Sequence, residues 1–260
     1  MSDAQARPET IRVEIASGLA RITLDRPPVN VLTTAMMRDL AAGLRRVAAD
    51  EAVRVIRLDA AGRTFSAGVD VGEHLGDLLP SMMEALRDLF VAFESVPQPI
   101  VAVVQGAALG GGLEVVLGCD LVVASEKATF GQPEIKLGVF APPATVLLPR
   151  RIGLGAATGL LLSGESVSAA EARRLGLANE VLAAEGFDAA ARAWIEKLLA
   201  LSGAALRRAK QAIRESSAMP VGEAQVRVHD IYMNDLMATE DAHEGLRSFV
   251  EKRAAVWKHR

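Results

Sequence analysis

The chain has 260 residues, and it lacks several things whose absence narrows what it can be. It has one cysteine, Cys119, so no internal disulfide can form, and the usage suits a reducing, cytoplasmic compartment. Cys119 lies in an apolar run and reads as a small core residue, not a nucleophile. The four histidines, His74, His229, His243 and His259, show no metal-ligand spacing, so no metal is expected and each reads as a solvated surface side chain. Seven phenylalanines, two tryptophans and one tyrosine leave little scope for aromatic stacking. No apolar run reaches the roughly 18 residues a membrane helix needs. The opening MSDAQARPET is polar, unlike a signal segment. A formal net charge of −3 gives no reason to expect nucleic acid or an anionic membrane as a partner.

What the chain does have is length, apolar content and glycine. At 50% hydrophobic and 23% charged it is ordinary for a soluble globular enzyme, and its 22 glycines suggest close backbone packing. Ile11 to Ile15 and Leu19 to Leu24 read as strands of a hairpin around Ser17-Gly18. Thr33 or Thr34 caps a helix running to about Ala49. Val53 to Leu58, Ile100 to Val104 and Leu121 to Ala124 read as strands, and Ser81 to Ser95 as an amphipathic helix. Strands alternating with helices predict a largely parallel sheet with right-handed crossovers, an α/β fold. Pro142-Pro143 opens a segment predicted to become helical near Leu147, and Gly155 to Leu162 is helical. Ser168-Ala-Ala-Glu171 matches a capping box with Gly176 as a stop. Ala178 to Leu182 is a last strand. From Phe187 onward helices are predicted over Phe187–Leu201, Ala204–Ser216, Val221–Met237 and Ala242–Ala255. The apolar positions of the last two, among them Val226, Ile231, Leu246, Phe249, Val250 and the following Trp257, exceed what one tail usually needs.

The stretch Gly106 to Gly118, GAALGGGLEVVLG, follows a buried strand and turns into a helix. Three consecutive glycines, Gly110 to Gly112, weaken helix and strand alike and make sense where backbone must approach something closely. Three readings are open on the local pattern. One is close helix–strand packing. The second is a nucleotide-phosphate loop, which is weak because neither GxGxxG nor GxxxxGK[ST] follows a strand. The third is an oxyanion site, since the first N–H groups of a helix have no internal partner and the dipole adds positive charge there. Glu114, two residues past the glycines, is either a helix-end charge or a catalytic group.

Three motifs in order, FSAGVD (Phe65–Asp70), ALGGGLE (Ala108–Glu114) and FGQPEI (Phe130–Ile135), resemble those of the crotonase, or enoyl-CoA hydratase/isomerase, superfamily. The likeness runs over nearly the whole chain to FVEKR at Phe249–Arg253. The resemblance implies a spiral of ββα units with the active site over residues 1–200, without a sharp boundary, and a helical C-terminal region over 201–260 that builds homotrimers or hexamers. It implies acyl-CoA thioester substrates, with CoA entering as part of the substrate and no separate cofactor. It puts the main-chain N–H groups of Ala67 and Gly111 on the thioester oxygen, and Ala67, Gly68, Val69, Asp70 and Gly110 along the substrate path. Asp70 reads equally as a turn cap. Glu114 and Glu134 match the two hydratase glutamates, implied to activate water and to protonate the α-carbon respectively. Twenty residues separate them, so nothing local brings them together.

After Glu134 the chain departs from the commoner hydratases. Phe140 and Pro142-Pro143 stand where a glycine-rich segment is usual, and suggest a stiff apolar wall beside Glu134. QPEIKLGVFAPPA, VGEHL (Val71–Leu75) and the tail from Asp235 are most similar to the cyclohexadiene-carbonyl-CoA hydratases of aromatic degradation; the alternative is a neutral loop variant in a generic enoyl-CoA hydratase. Lys252 reads as a CoA-phosphate contact or a solvated helix charge. The expected activity is a hydro-lyase on a conjugated acyl-CoA. The alternatives are a double-bond isomerase or thioester hydrolase of the same superfamily, or a non-catalytic acyl-CoA-binding protein. Retention of both glutamates favours hydration, because isomerases commonly manage with one.

Overall fold

In the computed structural model, residues 10–260 are described; most of the polar opening stretch lies outside them. The chain starts with a hairpin, β1 (Ile11–Ala16) and β2 (Leu19–Leu24), turning through Ser17 at φ +53° and Gly18 at φ +85°. Two successive positive φ values match the twist of the strands they join. Helix α1 (Thr34–Ala48) follows, capped by the Thr33 hydroxyl, which accepts from the Met36 N–H. Strand β3 (Val55–Ala60), helix α2 (Leu79–Ser95) and strand β4 (Ile100–Val104) come next. After β4 the pattern becomes strand–short strand–helix: β5 (Ala107–Leu109) and α3 (Gly111–Gly118), then β6 (Leu121–Ser125), β7 (Thr129–Gly131), α4 (Pro142–Ile152) and α5 (Leu154–Ser163). β8 (Ser166–Ser168), α6 (Ala169–Leu175), β9 (Glu180–Leu182) and α7 (Phe187–Leu199) lead to the terminal helices α8 (Gly203–Ser216), α9 (Val221–Asp230) and α10 (Glu240–Val250), with a π-helical turn at Ile231–Leu236.

Six strands form one sheet in the order β1-β2-β3-β4-β6-β9, parallel throughout except for the β1–β2 hairpin. Its central strands are buried on both faces, as parallel strands between helices must be. Val55, Val101, Val103 and Val123 face Phe187, Ala191 and Ile195 of α7. Ile56, Leu58, Ala102, Val104, Val122 and Ala124 face the main core with α1 and α2. A second sheet, β5-β7-β8, was not legible in the sequence, because three-residue strands are too short to show a period. It matters here because it ties Gly110 to Gly131, N–H to carbonyl, at 2.9 Å.

Predicted boundaries move at two helices. Helix α4 begins at Pro142, not near Leu147, because the two prolines occupy the first turn, where their missing N–H costs nothing. The last helix stops at Val250, not Ala255. Lys252 sits at φ +55°, and the chain then folds back so that Lys258 and His259 donate their N–H groups to the buried carboxylate of Asp241. Ser168 caps α6 as expected, but Glu171 pairs with Arg174, so only half of the capping box forms. Cys119 is buried in the main core as read, and burial pushes its thiol up. Among the described residues no helix is long and apolar enough to cross a membrane.

Candidate active site

The glycine turn joins β5 to α3, and its neighbours explain its composition. A Cβ on Gly110, which sits at φ +52°, would overlap Glu134 Oε1. A Cβ on Gly111 would lie 2.5 Å from Val69 Cγ2 and 3.2 Å from the Val69 nitrogen, and one on Gly112 would lie 2.7 Å from Ser66 Cβ. Close packing and an oxyanion site are therefore compatible readings. The packing brings the Ser66–Asp70 loop and the Glu134 carboxylate onto the N-terminus of α3.

The loop's own hydrogen bonds decide which of its N–H groups is available. Ser66 donates to Ala107 O at 3.1 Å, Gly68 to the Ser66 hydroxyl at 3.2 Å and Asp70 to Leu32 O at 3.0 Å. Ala67, expected to be an oxyanion donor, instead gives its N–H to Val29 O at 3.0 Å, so that expectation is corrected. Within Ser66–Asp70, Val69 alone has an N–H without a hydrogen-bond partner among the described residues. In its parallel bridge with Leu32 that N–H points away from Leu32, on the side where Gly111 lies. Gly111 is the first residue of α3, so its N–H has no partner within the helix. The available donor was two residues from the one read in the sequence, because the register against Leu32, which no local pattern reveals, decides which N–H faces the turn.

The two glutamates converge on this turn. Glu114, in the first turn of α3, is only 2% exposed, and its Oε1 accepts the Ala144 N–H of α4 at 3.0 Å. Glu134 is half-buried in a short 3-10 turn, Pro133–Leu137. The Gln132 amide, with its NH2 group toward Glu134, donates to Oε2 at 2.9 Å and Oε1 at 3.2 Å. Burial pushes Glu114 up to about 8, opposed by the Ala144 N–H and reinforced by the charge of Glu134. Glu134 is also raised by burial, its own backbone bond and the charge of His74 opposing. Burial thus disfavours the charged form of both carboxyls, most of all in the enclosed Glu114. His74, read as a solvated surface histidine, is held through Nδ1 against Asp70 O at 3.0 Å, within electrostatic range of Glu134.

Glu134 lines a cavity of about 360 Å³ together with Gln132, Phe140, Ala141, Thr145 and Leu162. Phe140 stands beside Glu134 as expected and is 67% exposed. Pro142 and Pro143 do not line this cavity. They face a groove of about 940 Å³ between α2 and α4, on another face of α4, so the expected stiff proline wall is corrected to a helix start. Asp70 caps the 3-10 turn Val71–His74, accepting the Gly72 N–H at 2.9 Å, which is the turn-cap reading. Lys252 is exposed past the end of α10, and among the described residues its side chain makes no hydrogen bond or ion pair.

A family model described as enoyl-CoA hydratase/isomerase matches residues 14–260. The chain is 40% identical, over all of both chains, to a cyclohexa-1,5-dienecarbonyl-CoA hydratase of Thauera aromatica. It is 36% identical to a 2,3-dehydroadipyl-CoA hydratase of Escherichia coli, over 92% of this chain and 94% of that one. The crystal structure of an enoyl-CoA hydratase from Bacillus anthracis superposes with a TM-score of 0.91 at 31% identity, covering 97% of this chain and 100% of the other.

Proposed function

The chain belongs to the enoyl-CoA hydratase/isomerase family, with the crotonase fold, and from that premise we propose how its residues hydrate a conjugated acyl-CoA thioester and which acyl group they take. The observation that carries the reading is the convergence of two buried-shifted carboxyls and two adjacent main-chain donors on one glycine turn.

Water adds its oxygen to the β-carbon, and the electron pair of the double bond moves through the α-carbon to the thioester oxygen. The Val69 and Gly111 N–H groups receive that developing charge. One such donor is worth ~10²–10³ in rate. The family resemblance puts Glu114 on the water and Glu134 on the α-carbon. Burial raises both carboxyls, so the two act as one pair that shares a proton. The pair takes one proton from the attacking water and returns one to the α-carbon. Nothing accumulates, and no redox partner is needed.

The acyl group proposed is a cyclic conjugated dienoyl ring. Support comes from the full-length likeness to the Thauera aromatica hydratase and from Phe140, a broad apolar face lining the cavity of Glu134. The second reading, a linear enoyl-CoA, is favoured by the likeness to the Escherichia coli hydratase. Loss of conjugated-enoyl absorbance, measured with cyclohexa-1,5-diene-1-carbonyl-CoA and with crotonyl-CoA, separates them. The proposal expects kcat/KM at least about tenfold higher for the ring, the scale of a single misplaced methylene-sized group. Equal or better turnover of crotonyl-CoA contradicts it.

The protein is further proposed to self-associate through α9 and α10, as a trimer or a pair of trimers. Part of the apolar surface expected there is used within the chain, since Ile231 is buried and Trp257 bonds Ala200 O. Phe249 at 85% and Val250 at 79% exposure remain uncovered. A stable, active monomer at micromolar concentration in light scattering contradicts this. Cytoplasmic residence and a contact of Lys252 with a CoA phosphate remain part of the same proposal.

A further inference from the structure

We infer that Glu73 is a positioning residue for the reaction, a carboxylate that holds the Val69 N–H on target from outside the pocket. The inference rests on the reading of Val69 and Gly111 as the donors to the thioester oxygen.

Its starting point is a helix end that lacks its own acid. Helix α1 has no acidic residue in its first turn, and the Thr33 cap serves only the Met36 N–H. The Thr34 N–H, one of the unpaired donors at that end, is taken instead by Glu73, 39 residues away. Glu73 Oε2 accepts the Thr34 N–H at 2.6 Å and the Thr34 hydroxyl at 2.5 Å.

The same few residues of the α1 entry grip the donor loop twice more. Leu32, two residues before Thr34, donates its N–H to Gly68 O at 2.8 Å and accepts the Asp70 N–H at 3.0 Å. Residues 68, 70 and 73 are thus fastened to residues 32 and 34, and Val69 lies between the first two fasteners. Helix α1 is a firm anchor, with Met36, Met37, Leu40, Leu44 and Val47 all buried in the core.

Packing holds the turn around Glu73 only lightly, through contacts with α2 and the half-buried Glu73 and His74. The 3-10 turn Val71–His74 has no buried residue, and Val71 is 59% exposed. Its position is set by hydrogen bonds: Asp70 to Gly72, His74 to Asp70, and Glu73 to Thr34. Of these hydrogen bonds, only the last ties the turn to α1. Without it the segment after Asp70 is tied to the α1 entry only through the Leu32 bridge, and the frame around Val69 loosens. The N–H of Val69 then loses its aim while the shape of the acyl cavity, built from other elements, is kept. Displacements of about 1 Å in such a constellation cost on the order of 10² in rate.

The test compares wild type, Glu73→Ala, Glu73→Gln and Thr34→Val. Three quantities are read: kcat, the Kd of a saturated acyl-CoA, and the red shift of a bound arylacryloyl-CoA chromophore, whose absorbance moves as its carbonyl is hydrogen-bonded. Glu73→Ala is expected to lower kcat by ~10–10² and to lose most of the red shift, with Kd changed less than about threefold. Glu73→Gln keeps an oxygen that accepts both Thr34 hydrogen bonds, so it is expected to restore kcat and the red shift. Thr34→Val removes one of the two donors and gives a smaller loss in the same readouts, which carries the test if Glu73→Ala does not fold. Wild-type kcat and an undiminished red shift in folded Glu73→Ala, or in Thr34→Val, overturn the inference. Absence of any red shift in wild type overturns the donor reading on which it rests.

Discussion

The loop and turn around Val69 and Gly111 and the stretch from Ile135 to Phe140 border one reaction site and are built in different ways. In the first, the N–H groups of Ser66, Ala67, Gly68 and Asp70 are all paired, and a Cβ on any of the three glycines would meet a neighbour at 2.7 Å or closer. In the second, every residue from Ile135 to Phe140 is exposed. A bonded, close-packed segment can hold donors to fractions of an ångström, which stabilising a developing charge demands. An exposed apolar segment holds nothing so firmly, but it can change side chains without cost to the core. Chemistry is expected to reside in the first and choice of acyl group in the second.

The sharpest way to break that division is to remove chemistry without touching shape. Glu134→Gln keeps the volume and the partnership with Gln132 and removes the titrating group. It is expected to retain CoA-thioester binding and to lose ~10²–10⁴ in kcat, the range for general acid–base catalysis. Near-native turnover by the purified variant would rule out the carboxyl pair.

A smaller effect tests the shared proton. With burial pushing Glu114 up to about 8, the pair loses its proton as pH rises through that value. Wild-type kcat/KM is expected to fall about tenfold per pH unit above it. A profile flat to pH 10 contradicts the assignment.

The smallest expected effect is on stability, and it carries the same sign logic. The Glu114 carboxyl is raised in the fold from its ordinary 4.5 to about 8. Stability linked to its protonation is fully present below the unfolded value and is lost as pH rises through the folded one. Glu114→Gln removes that loss while its amide oxygen still accepts from Ala144. At pH 9 the variant is expected to melt several degrees above wild type, with the gap closing toward pH 5. Each tenfold change in proton affinity on folding is worth ~1.4 kcal/mol, and each kcal/mol moves Tm by about 2–4 °C. A variant less stable than wild type at pH 9 would mean that the charge is not penalised.

Much of this was legible in the sequence, and the remainder has physical reasons for being hidden. The strand–helix alternation, the hairpin at Ser17-Gly18 and the glycine turn with Glu114 follow from period and propensity. The meeting of Glu114 with Glu134 was carried only by resemblance, because the sheet that brings residue 131 to residue 110 has three-residue strands. The motif points to Ala67 as the donor and not to Val69, since the register of an isolated bridge to Leu32 leaves no trace in composition. From sequence alone His74 and His259 read as solvated. The first bonds Asp70 O within its own 3-10 turn, and a tertiary contact gives the second the Gly203 N–H, at 3.1 Å.

One measurement bears most directly on the division between the rigid side and the exposed side: the ratio of kcat/KM for the cyclic dienoyl-CoA over crotonyl-CoA, in Gly111→Pro and in Phe140→Ala. Proline removes the Gly111 N–H and is accepted at the first position of a helix, though its ring presses on Val69. Both substrates are expected to slow by at least ~10²–10³ in that variant, with their ratio unchanged. Phe140→Ala is expected to shift the ratio toward crotonyl-CoA by about tenfold and to leave crotonyl-CoA turnover near wild type. A folded Gly111→Pro variant at full activity, or a ratio that moves with Gly111 and not with Phe140, would contradict the account.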